Sequence, residues 1–257
     1  MDVEYSYLIN RRVDVYLAMF KQIVKALISD VGTKNDVVRE RWVKTAIEKL
    51  PGGSRLLDAG AGQQRYRSYS SHLRYVSQDF CQYDGKGPDR ALHSVNWDTS
   101  RIDIVSDIAD IPEPDDSFDA ILCTEVLEHV PDPVAAITEF HRLLRPGGEL
   151  IMSAPFCSLT HMAPYHYYSG FNKYFFSHFL PLIGFELVEM TPNGSYNEFL
   201  AQELRRLPSM YPRLPLLVGI SFRILLRFLG KTRNSANDSS DLLCFGYHIR
   251  AVKKGNA

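Results

Sequence analysis

Three acids close short apolar runs and are each followed by loop-forming residues. They are Asp58 in Arg55-Leu-Leu-Asp-Ala-Gly-Ala-Gly62, Asp79 in Tyr75-Val-Ser-Gln-Asp79, and Asp107 in Ile102-Asp-Ile-Val-Ser-Asp-Ile108. Gly60 and Gly62 stand just after the first acid. Glycine accepts tight or positive-φ backbone and lets a ligand come close to the main chain. Such a turn at the carboxyl end of the first strand of an open α/β sheet is where nucleotide-like cofactors bind. Asp79, with its neighbour Gln78, is placed to accept both hydroxyls of a ribose. Asp107 beside Ile108 suits an adenine, the carboxylate taking the exocyclic amine and the aliphatic side chain the ring face. A second reactive group lies downstream: Glu125, Glu128 and His129 in one run, then His161, Tyr165, His166, Tyr167 and Tyr168 in another. Histidine is the usual residue to take a proton from a hydroxyl near neutral pH.

The loop after the first acid admits two cofactors. A dinucleotide fingerprint wants a third glycine, so that helix and strand pack closely at the pyrophosphate. The bulky Arg65 fills that place. S-adenosylmethionine (SAM) carries no pyrophosphate, so a SAM loop loses nothing by it. SAM is therefore the expected cofactor, with an NAD-type oxidoreductase and a catalytically silent SAM-binding scaffold as the alternatives. Asp58, Gly60, Gly62, Asp79, Asp107, Ile108 and Glu125 are its expected contacts. His161, His166 and His129 are the candidate catalytic residues, and no metal site is expected. Asp119 reads as structural, hydrogen-bonded to backbone, and Glu128 as facing solvent.

These side chains must be held by alternating strands and helices. Residues 75–79, 102–108 and 149–155 read as strands, 55–64 as a strand that passes into the Gly-x-Gly turn, and 116–129 as a buried strand that runs into a polar loop. Asp132-Pro133 is a capping residue with proline at the first helical position. The helix it starts carries Val134, Ile137, Phe140, His141 and Leu144 at helical spacing and is expected to stop at Pro146-Gly147-Gly148. Asn35 or Asp36 caps an earlier helix with Val38, Trp42, Ala46 and Ile47 on one face. Residues 184–190 and 244–252 read as the last two strands. The words Phe118-Asp119, Glu125-Val-Leu-Glu-His-Val130 and Arg142-Leu-Leu-Arg-Pro-Gly-Gly148 resemble the class I SAM-dependent methyltransferases over about a hundred residues. That resemblance implies a Rossmann-like α/β/α sandwich, a seven-stranded, mostly parallel sheet with one antiparallel strand, and methyl transfer. It does not name the acceptor. The stretch from His161 to Tyr168 also resembles methyltransferases of bacterial surface-glycan pathways, which implies a saccharide acceptor among small molecules.

One domain is expected over 1–257: N-terminal helices over 1–50, a cofactor-binding core over 54–155, and acceptor-side insertions at 156–180 and 195–241. The net charge of -1 argues against nucleic acid, which calls for a basic excess. The four cysteines have no metal or disulfide spacing, as for buried thiols of a cytoplasmic protein. No secretory signal is read at the start. Residues 214–229 are dense in Leu, Ile, Val and Phe, with Arg223 and Arg227 one helical turn apart. The run is too short and too charged to span a bilayer. Two readings stay open: a basic amphipathic helix touching the inner face of the membrane, or a helix packed on the sheet or in a homodimer interface.

Overall fold

The computed structural model describes residues 30–86, 97–211, 221–222, 224–226, 228 and 239–255. The chain forms two compact units, one of residues 35–195 with 239–257 and one of residues 1–34 with 196–238. Residues 1–29 of the expected N-terminal helices and most of 214–229, with Arg223 and Arg227, lie outside the described residues.

The larger unit is built on strands β1 (Arg55–Ala59), β2 (Arg74–Asp79), β3 (Ile104–Val105), β4 (Phe118–Thr124), β5 (Leu144–Pro155), β6 (Phe185–Asn193) and β7 (Gly246–Lys253). They form one sheet in the order β3-β2-β1-β4-β5-β7-β6. β1 pairs in parallel with β2 and β4, β2 with β3, and β4 with β5. β7 runs antiparallel to both of its neighbours, β5 and β6. This is the Rossmann-like methyltransferase sheet that the resemblance implied.

Its central strands are covered on both faces, so they read as nearly unbroken apolar runs. Side chains alternate along them. Leu56, Ala120 and Leu122 face helix α1 (Asn35–Glu48), packing with Val43, Ala46 and Ile47. Leu57, Ile121 and Cys123 face the other way, toward Ile137 and Phe140 of α2 (Pro133–Leu143) and Phe176 and Leu180 of α3 (Lys173–Ile183). The Asp132 carboxylate caps α2, accepting from the Val134 and Ala135 amides at 3.1 and 2.9 Å. Asn172 caps α3 in the same way, and Gly184 ends that helix at φ +115°. Asp119 is structural, as expected: it accepts the Arg55 amide at 2.7 Å and pairs with Arg145.

Two element boundaries differ from the sequence reading. α2 ends at Leu143, before Pro146, because Leu144 already pairs with Phe118 of β4. The Arg-Pro-Gly-Gly stretch is instead an irregularity inside β5, where the register shifts between Phe118 and Ala120. The third strand is cut to Ile104–Val105, because β2, its one partner, ends at Asp79.

The smaller unit contains α4 (Tyr196–Met210), where Ala201 packs with Val31 and Leu226, and Leu200 and Leu204 lie against them. Among the described residues no helix is long and apolar enough to cross a membrane.

Phe140 is fully buried between α2 and the sheet. Phe140→Ala is expected to lower the unfolding free energy by about 3–5 kcal/mol, read as a shift of the urea midpoint at unchanged slope.

Candidate functional site

The sheet order reverses between β1 and β4, and in open α/β sheets ligands bind in the crevice at such a switch point. A cleft of about 810 Å³ opens there. Asp58, Gly60, Gly62, Asp79, Asp107, Ile108, Glu125, His129 and His161 all line it, so the structure brings the expected cofactor residues and two of the three histidines to one cavity. His166 is not on its wall. It lies behind His161, with ring centroids 4.8 Å apart, and its Nε2 is 3.2 Å from Ser158 Oγ.

The floor of the cleft is the loop after β1. The Gly60 and Ala61 amides donate to the Gln78 carbonyl, both at 2.9 Å. The Gly62 amide donates to Asp79 Oδ2 and the Cys81 amide to Asp79 Oδ1, again at 2.9 Å. Each carboxylate oxygen has two lone pairs, so Asp79 keeps acceptor capacity for a ligand after holding its two amides. Gly60 and Gly62 have φ of +72° and +50°. A Cβ on Gly60 would come within 2.6 Å of Val126, and one on Gly62 within 2.7 Å of Trp97. A cradle of bare backbone beneath a buried acid is what a nucleoside-bearing cofactor such as SAM needs, and the residues present fit it. Asp107 is exposed and accepts the Ala109 amide, with Ile108 buried next to it.

Asp58 lies deeper. It is buried and accepts the Tyr75 hydroxyl at 2.6 Å. Burial, reinforced by the Asp79 charge and opposed by the Tyr75 hydrogen bond, pushes its carboxyl up to about 7. Glu125 sits at φ +54°, anchored by Arg39 Nη1 at 3.0 Å and by the Ser153 hydroxyl at 2.9 Å. Arg39 itself lines the cleft. Sequence reasoning missed it, because α1 offered an apolar face but no sign of which cation would turn inward.

The same cleft is lined by two members of a histidine cluster. His129 Nδ1 contacts the Tyr165 carbonyl and His161 Nδ1 the Leu159 carbonyl, the latter at 2.8 Å. The two Nε2 atoms are 3.0 Å apart. Burial, with His161 and His166 close by, lowers the His129 pKa to about 4 against the hydrogen bond that its Nδ1 donates to the Tyr165 carbonyl. Burial lowers His166 as well.

Glu128 is the main correction. It was expected in solvent but is 1% exposed, and Oε2 has no hydrogen-bond partner. Its turn, Leu127–His129, is covered by the later loop, whose Tyr167 and Tyr168 amides donate to the Glu128 carbonyl at 2.9 and 3.2 Å. Burial, and then the Glu125 charge, hold its carboxyl well above the usual carboxylate range. Phe80 and Tyr165 meet edge to face at 4.9 Å and join the two halves of the cleft.

A sequence model of the methyltransferase domain family matches residues 34–193. A ubiquinone biosynthesis O-methyltransferase of Xanthomonas axonopodis pv. citri (strain 306) is 36% identical over 121 residues, 45% of this chain and 48% of that protein. One from Vibrio atlanticus (strain LGP32) is 31% identical over 108 residues, 41% of this chain and 39% of that protein. The chain thus spans about half or less of the length of these curated relatives. Among solved structures, the [4+2]-cyclase SpnF superposes with a TM-score of 0.50 at 20% identity, over 88% of this chain and 81% of that one. At that identity the likeness shows the fold alone.

Asp58 gives this site a pH signature. Its folded-state pKa of about 7 lies above the ordinary carboxyl value of 3.8, so between the two the folded state holds a proton that the unfolded chain has released. The stability this group lends is complete below about pH 4 and is lost as pH rises through about 7. In cofactor-free protein, urea unfolding should show the wild type losing up to about 4 kcal/mol relative to Asp58→Asn across that window.

Proposed function

The chain belongs to the methyltransferase domain family, and on that premise we propose that it transfers a methyl group from SAM to a hydroxyl of a small-molecule acceptor. One observation carries the reading. The glycine cradle with its strand-end acids and the histidines His129 and His161 line a single cleft. When bound, SAM supplies an electrophilic methyl on a sulfonium that leaves as a neutral thioether.

The chain's own residues position the reactants. Asp79 accepts the ribose hydroxyls while its other lone pairs fix the loop through Gly62 and Cys81. Asp107 takes the adenine amine and Ile108 packs on the ring. Arg39, Glu125 and Asp58 surround the amino-acid end, with charges of both signs suited to an ammonium and a carboxylate. Tyr165, Tyr167 and Met162 wall the acceptor side, and aligning nucleophile and methyl in a dry cleft is the larger part of the catalysis. The remaining task is to activate the hydroxyl, and His129 and His161, both on the wall of the cleft, are the groups for it.

An oxygen acceptor is supported by the relatives' names, which are O-methyltransferases of ubiquinone biosynthesis. Those names give no support to the saccharide acceptor expected from the aromatic insertion. A ring-shaped hydroxyl compound of either kind fits the tyrosine-lined end. The alternatives, an NAD-type oxidoreductase and a silent scaffold, gain nothing from the site: Arg65, where a dinucleotide loop would have its third glycine, lines the cleft and is held by Asp36 and Glu40 of α1.

Calorimetry with SAM, S-adenosylhomocysteine and NAD in parallel tests the cofactor, and binding of NAD alone would sink the reading. Asp79→Ala is expected to weaken SAM by roughly 1.5–3 kcal/mol, and unchanged affinity would remove Asp79 from the ribose site. His161→Ala should leave SAM affinity within about twofold of wild type while turnover falls by about 10²–10⁴-fold. Wild-type turnover in that variant would take the histidine out of hydroxyl activation.

A further inference from the structure

The hydrogen-bonding partners fix the tautomers of two histidines. A carbonyl oxygen only accepts, so Nδ1 of His129 carries a proton to the Tyr165 carbonyl and Nδ1 of His161 carries one to the Leu159 carbonyl. In the neutral rings both Nε2 atoms are then bare lone pairs, and they point at each other across 3.0 Å. Two lone pairs at that distance repel. Only a positive centre shared between them makes the arrangement favourable.

The surroundings supply the rest of a ligand set. Glu128 Oε1 lies 3.8 Å from His129 Nε2 and 3.9 Å from His161 Nε2. The same carboxylate is almost fully buried and leaves Oε2 without a partner. Burying an acid with no cation and an orphaned oxygen is costly, and a cation beside it removes that cost. Ligands about 2.0–2.1 Å from a tetrahedral zinc ion stand roughly 3.4 Å apart. The three observed separations bracket that value, so an ion needs only shifts of about half an ångström. Metal-bound histidines commonly donate their second ring N–H to a backbone carbonyl, which sets tautomer and orientation. Both histidines do this here. The Tyr167 and Tyr168 amides on the Glu128 carbonyl tie the loop carrying His161 to the turn carrying Glu128.

We propose that Glu128, His129 and His161 form a binding site for a divalent transition-metal ion of the zinc class, with an open position toward the cleft for the acceptor's hydroxyl oxygen. Two histidines, one carboxylate and an open place is a ligand set of catalytic zinc. The ion's role rests on the methyl-transfer reading above; the site itself does not. Coordination makes the hydroxyl more acidic, as it does water. Its O–H bond breaks with the electron pair left on oxygen, the proton passes to His166 or to solvent, and nothing is oxidised or reduced. His166, next to His161 with ring centroids 4.8 Å apart, is the nearby base on the proposed route.

The test uses the full chain, stripped with a chelator and titrated with Zn²⁺ alone and Co²⁺ alone, with SAM affinity measured on the same samples. The expected result is one equivalent of Zn²⁺ bound and a visible Co²⁺ ligand-field spectrum. His161→Ala should weaken Zn²⁺ at least about 100-fold, since losing even an outer-shell partner costs 10–100-fold, with SAM affinity unchanged. Glu128→Gln, checked for folding by its thermal melt, should weaken Zn²⁺ too. A wild type that binds SAM but takes up neither ion overturns the metal site and leaves the methyl-transfer reading standing. Zn²⁺ uptake equal in wild type and both variants overturns it as well. Zn²⁺ uptake lost in the variants of a protein that never binds SAM upholds the site and removes the methyl-transfer reading instead.

Discussion

The donation of the Gly62 amide to the Asp79 carboxylate, at 2.9 Å, is the contact on which the cleft depends. It fastens the loop leaving β1 to the end of β2, and the Cys81 amide on the other oxygen fixes the chain as it leaves that strand. Gln78 holds the first half of the same loop through its carbonyl and its side-chain oxygen. The loop can lie so flat only because two of its residues have no Cβ. A methyl on either glycine would enter Val126 or Trp97. The strand order supplies the crevice, but this short set of bonds makes its floor a surface of backbone.

The same contact accounts for what could be read in the sequence. An acid at a strand end, a glycine pair and a second acid one strand later are local signals, and each landed on the cleft. The strands announced themselves by apolar runs, because a parallel sheet covered on both faces leaves little room for polar residues. The capping of α2 by Asp132 was equally local. Non-local terms decided the rest. Proline and two glycines after Leu144 look like a helix stop, yet pairing with Phe118 draws the chain into β5 earlier. Glu128 looked solvated because a three-residue turn has no period that marks an inner face. Its cover comes from Tyr167 and Tyr168, in a loop about forty residues further on, and nothing local predicts which loop will fold back over which turn.

Function divides along the same line. The half proposed for the cofactor belongs to the strand ends of the sheet. The half proposed for the acceptor is a graft: a turn after β4 contributes Glu128 and His129, and the loop after β5 contributes His161, Tyr165 and Tyr167. A [4+2]-cyclase shares the fold at a TM-score of 0.50, so architecture alone does not choose the reaction. The family match supplies the methyl-transfer class, and only the graft distinguishes one acceptor from another.

That graft, with the Glu125 position that leads into it, is also where the structure departs from local economy. Glu125 holds a left-handed backbone, Glu128 is buried with an orphan oxygen, and two imidazoles are locked by backbone carbonyls with their lone pairs opposed. Each is unfavourable alone by ordinary rules of burial and strain. They persist because the surrounding structure fixes them: Arg39 and Ser153 grip Glu125, and the Tyr167 and Tyr168 amides clamp the Glu128 turn. Stability spent by the core on holding charge and lone pairs in fixed places is the mark of a site organised before its ligand arrives. A preset site stabilises a developing charge without having to reorganise as it forms. The cradle needs little of this, since amides and carboxylates there satisfy one another. The orphaned carboxylate oxygen of Glu128 and the opposed imidazoles stand together, where a reacting hydroxyl would have to be met on the proposed reading.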